Sequence, residues 1–420
     1  MINRLKFFIA RLRERLWIRP LGMCILSVII AFVVKAADYG PVPGFVPNIS
    51  PETIETLLKI IASSMLVIAT FAVGSMVSSY ASASSTATPR SFALIVADDV
   101  SQNALSSFIG AFIFSIVALI SVMKGFYQAG GRFALFCVTL LAFALVILMF
   151  LRWVDSIARL GRLGSTIDKV EDATAKALEA RRRAPTLGGV RAWPRPAGSR
   201  AVYGNTVGYV QRVDVPMLQE YAAQAGLRIA VDALPGTFAV PGRPLAYILS
   251  QDNAAEQIDT CRIQAAFQIG DDRTFVEDPR FGLVVLSEIA GRALSPAVND
   301  PGTVIDIIGT LVRLFVLWTK PVEEDQTAPC ECDRVEVPAI SVHDMFDDAF
   351  MAIARDGAGV VEVGIRLQKA LHALFEAGDE DMQEAAKHHA RIALARAELA
   401  LKLPSDLDAI RAQSTFATSS

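Results

Sequence analysis

Four apolar runs in the first part of the chain limit its possible folds more than any other feature. They cover about 21–37, 57–79, 108–123 and 133–151. An α-helix needs roughly 17–25 mostly apolar residues to cross the hydrocarbon core of a bilayer. The second and fourth runs reach that length directly. The first and third reach it if Lys35 and Lys124 extend their ammonium groups to the interface. Mean hydropathy is +0.41 and 53% of the residues are hydrophobic, above what a soluble domain averages. The runs predict an α-helical membrane protein with four transmembrane helices over 21–152, and a lipid bilayer as its first partner.

Basic residues orient the spans. The leader, 1–20, contains NRLKFFIARLRERLWIRP. It sets Leu5, Phe8, Ile9, Leu12 and Leu16 on one helical face with Arg and Lys opposite. That pattern suits a helix lying on a membrane surface, and the same arginines also serve as topology signals. The loop 38–56 carries no Lys or Arg, whereas Arg152, Arg159, Arg162, Lys169 and Arg181–Arg183 follow the fourth run. The positive-inside rule then predicts a multi-pass protein of the cell (inner) membrane with both termini in the cytoplasm. Three further spans make the first run a retained anchor rather than a cleaved signal.

Beyond the spans the chain divides by composition. Residues 153–200 read as a charged helix followed by a Pro/Gly/Arg linker. Residues 201–250 read as a small β-rich module. VGYVQRV and LRIAVDA alternate like strands, Asp214 caps a helix that Gly226 ends, and Pro241-Gly242 sits between two strand-like segments. The stretch LPGTFAVPGRPLAYIL resembles the hairpin of biotinyl- and lipoyl-type barrels through Gly236, Gly242 and Leu245. Thr237 and Ala239 replace that pattern's Asp and Val, and no lysine sits where a cofactor would attach. The resemblance implies a β-barrel-like module that carries neither biotin nor lipoate, and no cofactor is expected.

Residues 251–420 read as a mostly helical cytoplasmic domain, so the whole cytoplasmic part is α+β. Asp278-Pro279 and Asp300-Pro301 each start a helix, with aspartate at the cap and proline at the first position. The run LVRLFVLW is apolar, but Asp306 and Arg313 lie in its segment, so a buried helix is expected there rather than a fifth span.

Two places hold candidate functional residues. The corner RALSPAVNDPGT stops one helix at Ser295, before Pro296, and restarts another at Asp300. Arg292, Ser295, Asn299, Asp300 and Thr303 are polar groups at that corner, and they form either a functional surface or a plain helix junction. In the second span Ser75, Ser78, Ser82 and Ser85 share one helical face. Such a stripe either lines a pore in an oligomer or lets helices pack closely.

The remaining chemistry argues mostly by exclusion. The five cysteines, Cys24, Cys137, Cys261, Cys330 and Cys332, lack zinc-ligand spacing and read as incidental thiols, so no metal is expected. The acidic and histidine candidates Asp271, Asp272, Glu277, Glu288, Asp300 and His343-Asp344 have no diagnostic spacing. His388-His389 reads as solvated. There is no phosphate-binding glycine loop and no nucleophile elbow. The expectation is a protein that is not an enzyme and binds no nucleic acid.

Several stretches together resemble a bacterial family of predicted membrane proteins, domain-of-unknown-function family 2254. They are SSTATPR, DDVSQNALSSFIGAF, GYVQRVD, DRTFVEDPRFGLVVLSEIAGRALSPAVNDPGT and DRVEVPAIS. The family more often reads Ser-Pro-Arg where this chain has Thr88-Pro89-Arg90. The resemblance implies four N-terminal spans and a cytoplasmic part, and supplies no activity. Two functions fit the whole reading. One is an oligomeric channel or transporter, assembled from copies of this chain and gated by its cytoplasmic domain. The other is a membrane-anchored sensor or scaffold that binds a ligand or partner through that domain.

Overall fold

The computed structural model describes residues 17–39, 47, 49–86, 88–92, 94, 99–159, 162–194, 198–249, 258–322 and 331–418. Most of the leader and the acidic segment that holds Cys330 lie outside the described residues, as does the side chain of Ser85. The chain forms two compact units, Met1–Thr166 and Ile167–Ser420.

The first unit is built on α1 (Ile18–Val33), α2 (Pro51–Thr86), α3 (Asp99–Met123) and α4 (Ala129–Arg159). Helix α3 packs against each of the other three. The inward stripe of α2, Ile54, Leu58, Ile61, Met65, Ala69, Ala72 and Met76, recurs at steps of three and four. It meets Phe108 of α3 and Trp153 of α4, whose rings lie edge to face at 6.2 Å. The outside of the bundle is also apolar, with Leu66, Val67, Phe71, Leu141 and Leu148 exposed. Helices that are apolar all round suit a lipid environment, where only self-satisfied backbone is tolerated.

Polar tethers close the bundle. Ser27 donates to the carbonyl of Gly110 at 2.8 Å, and Tyr127 to that of Ala31 at 2.6 Å. Lys35 turns back to donate to the carbonyl of Phe126, over whose ring it also lies. Asp38 accepts from the amides of Gln128 and Gly131, at the positive end of α4.

In the second unit, α5 (Leu163–Arg183) leads into a β layer of β1 (Gly189–Arg191), β2 (Arg200–Tyr203), β3 (Gly208–Val213), β4 (Ile229–Val231), β5 (Phe238–Ala239), β6 (Pro244–Ile248), β7 (Phe267–Gly270) and β8 (Cys332–Val337). Helix α6 (Val215–Ala225) and the short α7 (Thr260–Gln264) join it. One sheet has the order β1-β8-β4-β6-β2, with β8 parallel to both of its neighbours. The other is antiparallel, in the order β5-β3-β7. Both share a core that includes Val210, Leu218, Ile229, Leu245 and Val335.

This arrangement corrects the barrel-like expectation. Among the described residues the strands form two open sheets. The turn at Pro241-Gly242 exists, with Gly242 at φ +92°, but β5 and β6 on its two sides belong to different sheets and do not pair. The β layer also recruits β1, β7 and β8 from beyond 201–250.

The helical layer contains α8 (Pro279–Ala293), α9 (Pro301–Thr319), α10 (Val342–Asp356), α11 (Val361–Ala377) and α12 (Glu380–Ala400), followed by α13 (Pro404–Arg411) and α14 (Thr415–Thr418). Asp278 and Asp300 cap α8 and α9 by accepting from Phe281 and Thr303 amides. Five described helices, not four, are long and apolar enough to cross a membrane, and the fifth is α9. Its Val304, Ile307, Leu311, Leu314 and Phe315 are buried, and Phe315 packs on Phe346 and Phe350 of α10. Its apolar length is therefore largely spent on a protein core.

Candidate functional site

The second unit contains a cavity of about 430 Å³. Its walls come from four places: the end of α5, the connections from β4 through β5 to β6, the segment before α8, and the turn between β8 and α10. Local sequence explains the shape. Gly236 sits at φ +94°, and a Cβ there would collide with the Asp278 carboxylate. A glycine at that point lets the β4–β5 connection close over Asp278.

Four arginines line the cavity: Arg181, Arg243, Arg273 and Arg280. Two are engaged by acids. Arg273 grips Asp278 with two bonds of 2.7 and 3.0 Å, while Asp278 also caps α8. Arg280 donates to Asp348 at 2.6 Å and to Asp344 at 2.5 Å. Burial disfavours the Arg280 cation, but bonding to Asp348 and the charges of Asp348 and Asp344 outweigh it, so its pKa stays raised.

The other two are less satisfied. Arg181 is only 4% exposed. Its Nη2 donates to the carbonyl of Glu277 at 3.1 Å, and its Nη1 has no hydrogen-bond partner among the described residues. Burial lowers its pKa, against the opposing charges of Glu277 and Asp278, yet a guanidinium stays protonated at any physiological pH. Glu277 is itself held by Arg212 at 3.2 Å, and burial raises its pKa. Arg243 is exposed and its guanidinium shows no partner among the described residues. A buried donor left unbonded costs about 1–3 kcal/mol. The cavity thus presents cationic donors at its wall, which is the chemistry of an anion site.

The residues expected from the sequence lie elsewhere. At the corner, Asn299 adopts φ +50°, and Asp300 accepts from the Thr303 amide at 3.1 Å and its hydroxyl at 2.6 Å. Ser295 donates to the carbonyl of Arg292 at 2.7 Å, and the backbone amides of Asn299 and Asp300 bond back to Ser295 and Ala293. None of these five lines the cavity. Bonds to the Thr303 hydroxyl and amide hold the Asp300 carboxyl below its ordinary pKa. The hydrogen bonds at the corner close a helix junction. In the serine stripe, Ser75 is half-buried, while Ser78 and Ser82 are exposed and lie off the inward stripe of α2.

Two features escaped the sequence reading. Arg181 looked like part of a basic run, yet it falls in phase with Val170, Thr174 and Leu178 on the buried face of α5. His389 looked solvated, yet it is 2% exposed, in phase with Met382, Ala386 and Ala393. It lies 3.3 Å from Asp347, beside the rings of His343 and His388, and burial lowers its pKa to about 4. At neutral pH it is therefore uncharged, and its contact with Asp347 is not an ion pair. Among the described residues, no group of His, Cys, Asp and Glu could hold a metal ion.

The profile of a family described as predicted membrane proteins, domain-of-unknown-function family 2254, matches residues 13–373. The chain belongs to that family. Family 2254 thus covers both units, including every cavity arginine. Curated relatives include uncharacterised proteins of Mycobacterium tuberculosis (strain CDC 1551 / Oshkosh) and Mycobacterium bovis (strain ATCC BAA-935 / AF2122/97). Each is 31% identical over 134 residues, which is 31% of this chain and 26% of the relative. The match thus spans about a quarter of the relatives' length. No solved structure matches the chain.

Proposed function

We propose that this family-2254 protein is a membrane-anchored receptor for a small anionic ligand, with the second unit on the cytoplasmic side. The observation that carries the reading is Arg181, a buried guanidinium that lines a 430 Å³ cavity and has one nitrogen unbonded among the described residues. Cavities of that size suit single small molecules. Arg181 is also on α5, the helix that follows α4 of the first unit in sequence, so ligand contact falls on the element leading from that unit. The test is thermal unfolding of the full chain in nanodiscs with orthophosphate, pyrophosphate, sulfate and citrate. At least one should raise the midpoint in wild type and none in Arg181→Met or Arg243→Met. A flat response of wild type to every anion would sink the reading.

The channel or transporter reading draws on one observation, the exposure of Ser78 and Ser82 on the outside of a mostly apolar bundle. Copies of the chain assembled through that face would enclose the serines. Ion flux from liposomes, abolished by Ser78→Leu, is its distinguishing result.

A further inference from the structure

We propose that the ligand of the arginine cavity is a nucleotide, its phosphate held by Arg181 and Arg243 and its base stacked on Phe238. This rests on the anion-receptor reading and adds a ligand class to it. Three observations converge. First, Arg243 brings an exposed guanidinium with no partner among the described residues, and the buried Arg181, one of whose guanidinium nitrogens is unbonded among the described residues, lines the same cavity. Two cations in one cavity favour a dianionic phosphate over a single carboxylate, and planar guanidinia match its oxygens.

Second, the same cavity is lined by an aromatic ring. Phe238 is 43% exposed although it is a large apolar side chain in a strand. It is braced edge-on by Tyr209 at 4.9 Å, across the β3–β5 pair, so its position is set by the sheet. An exposed, braced ring beside phosphate-binding cations offers a stacking platform for a base. Third, the cavity includes an acceptor. The Asp344 side chain bonds Arg280 yet stays 50% exposed. A carboxylate keeps lone pairs beyond one such bond, so it can accept from a sugar hydroxyl or an exocyclic amine. A phosphate, a flat ring and hydrogen-bond donors on one small molecule describe a nucleotide. The volume suits a single small molecule.

The test is calorimetric titration of the full chain in detergent with AMP, GMP, CMP, UMP, ribose 5-phosphate, adenosine and orthophosphate. At least one nucleotide should bind tenfold or more tightly than ribose 5-phosphate, and adenosine should not bind measurably. Phe238→Ala, at an exposed position, should reduce nucleotide affinity to the level of ribose 5-phosphate and leave ribose 5-phosphate unchanged. Arg243→Met, also exposed, should weaken both. Equal affinity for nucleotides and ribose 5-phosphate, or full nucleotide affinity in Phe238→Ala, would overturn the nucleotide proposal while the anion receptor stands. Failure of every phosphate compound to bind would overturn the nucleotide proposal, and the receptor reading would fall with it only if sulfate and citrate also give no response.

Discussion

Arg181 sits where stability and binding oppose each other. Among the described residues its buried Nη1 lacks a bond; if Arg181 is removed, the Glu277 and Asp278 carboxylates retain Arg212 and Arg273, while the Glu277 carbonyl loses its Nη2 donor. Relief of that donor is worth about 1–3 kcal/mol and loss of the Nη2 bond offsets part of it, so Arg181→Met should modestly stabilise the ligand-free protein while removing its response to anions. Denaturant unfolding in detergent measures this, and a clear loss of stability would show that the arginine is a structural brace instead. His389 makes a second prediction at this scale. Its pKa falls from 6.5 to about 4 on folding, chiefly through burial, with His388, His343 and Arg396 adding repulsion and Asp347 opposing them. Between those values the unfolded chain binds more protons than the folded one. Stability should then fall as pH drops from about 6.5 towards 4, by up to about 1.4 kcal/mol per pH unit. His389→Leu should flatten that part of the curve, and an unchanged slope would count against the buried neutral imidazole. Neither residue announced itself in the sequence. Arg181 is one of three consecutive arginines, and only the phase of a helix already known to pack on one face separates it from the others.

At the scale of elements, local chemistry was easier to read. The Asp-Pro starts of α8 and α9, the Asp214 cap and the left-handed Gly226 end of α6 each depend on a few adjacent residues, and each is present. The junction before α9 is the sharpest case. Asp300→Asn should change the unfolding midpoint little at neutral pH, because asparagine caps about as well as aspartate, whereas Asp300→Ala should cost about 0.5–2 kcal/mol. The carboxylate itself contributes most above its unfolded pKa, and that contribution is lost on acidification through its lowered folded value. A large loss in Asp300→Asn at neutral pH would give the charge a role beyond capping. Pairing was the part the sequence concealed. Pro241-Gly242 specified a turn, but nothing within LPGTFAVPGRPLAYIL specifies that the strands before and after it join separate sheets. That choice follows from the distant partners β3, β2 and β4. The cavity was hidden for the same reason, since its wall is assembled from segments between residues 181 and 344.

At the scale of the molecule, charge and apolar length give an orientation that can be checked. In a background without the native cysteines, Pro47→Cys should be labelled from outside intact cells, and Ser199→Cys and Ser420→Cys should not. External labelling of Ser420→Cys would reverse the topology. The apolar helix α9 adds a check, because a helix buried in a protein core should leave both of its ends on one side of the membrane. The place of β8 in the sheet leads to a last prediction. It lies between β1 and β4 and pairs with both, although 140 residues separate Arg191 from Cys332 in the sequence (332 − 191 − 1). Val335→Pro, in that central strand, should prevent the second unit from folding, while Val190→Pro, at the sheet edge, should only lower its melting temperature. Equal effects would mean that β8 is not central to the layer. The consequence concerns synthesis. A ribosome delivers β1, β4, β6 and β2 long before the strand that joins β1 to the rest. During that interval the nascent unit carries an open strand edge. Translation speed across residues 249–337 thus sets how long the chain stays open to wrong partners.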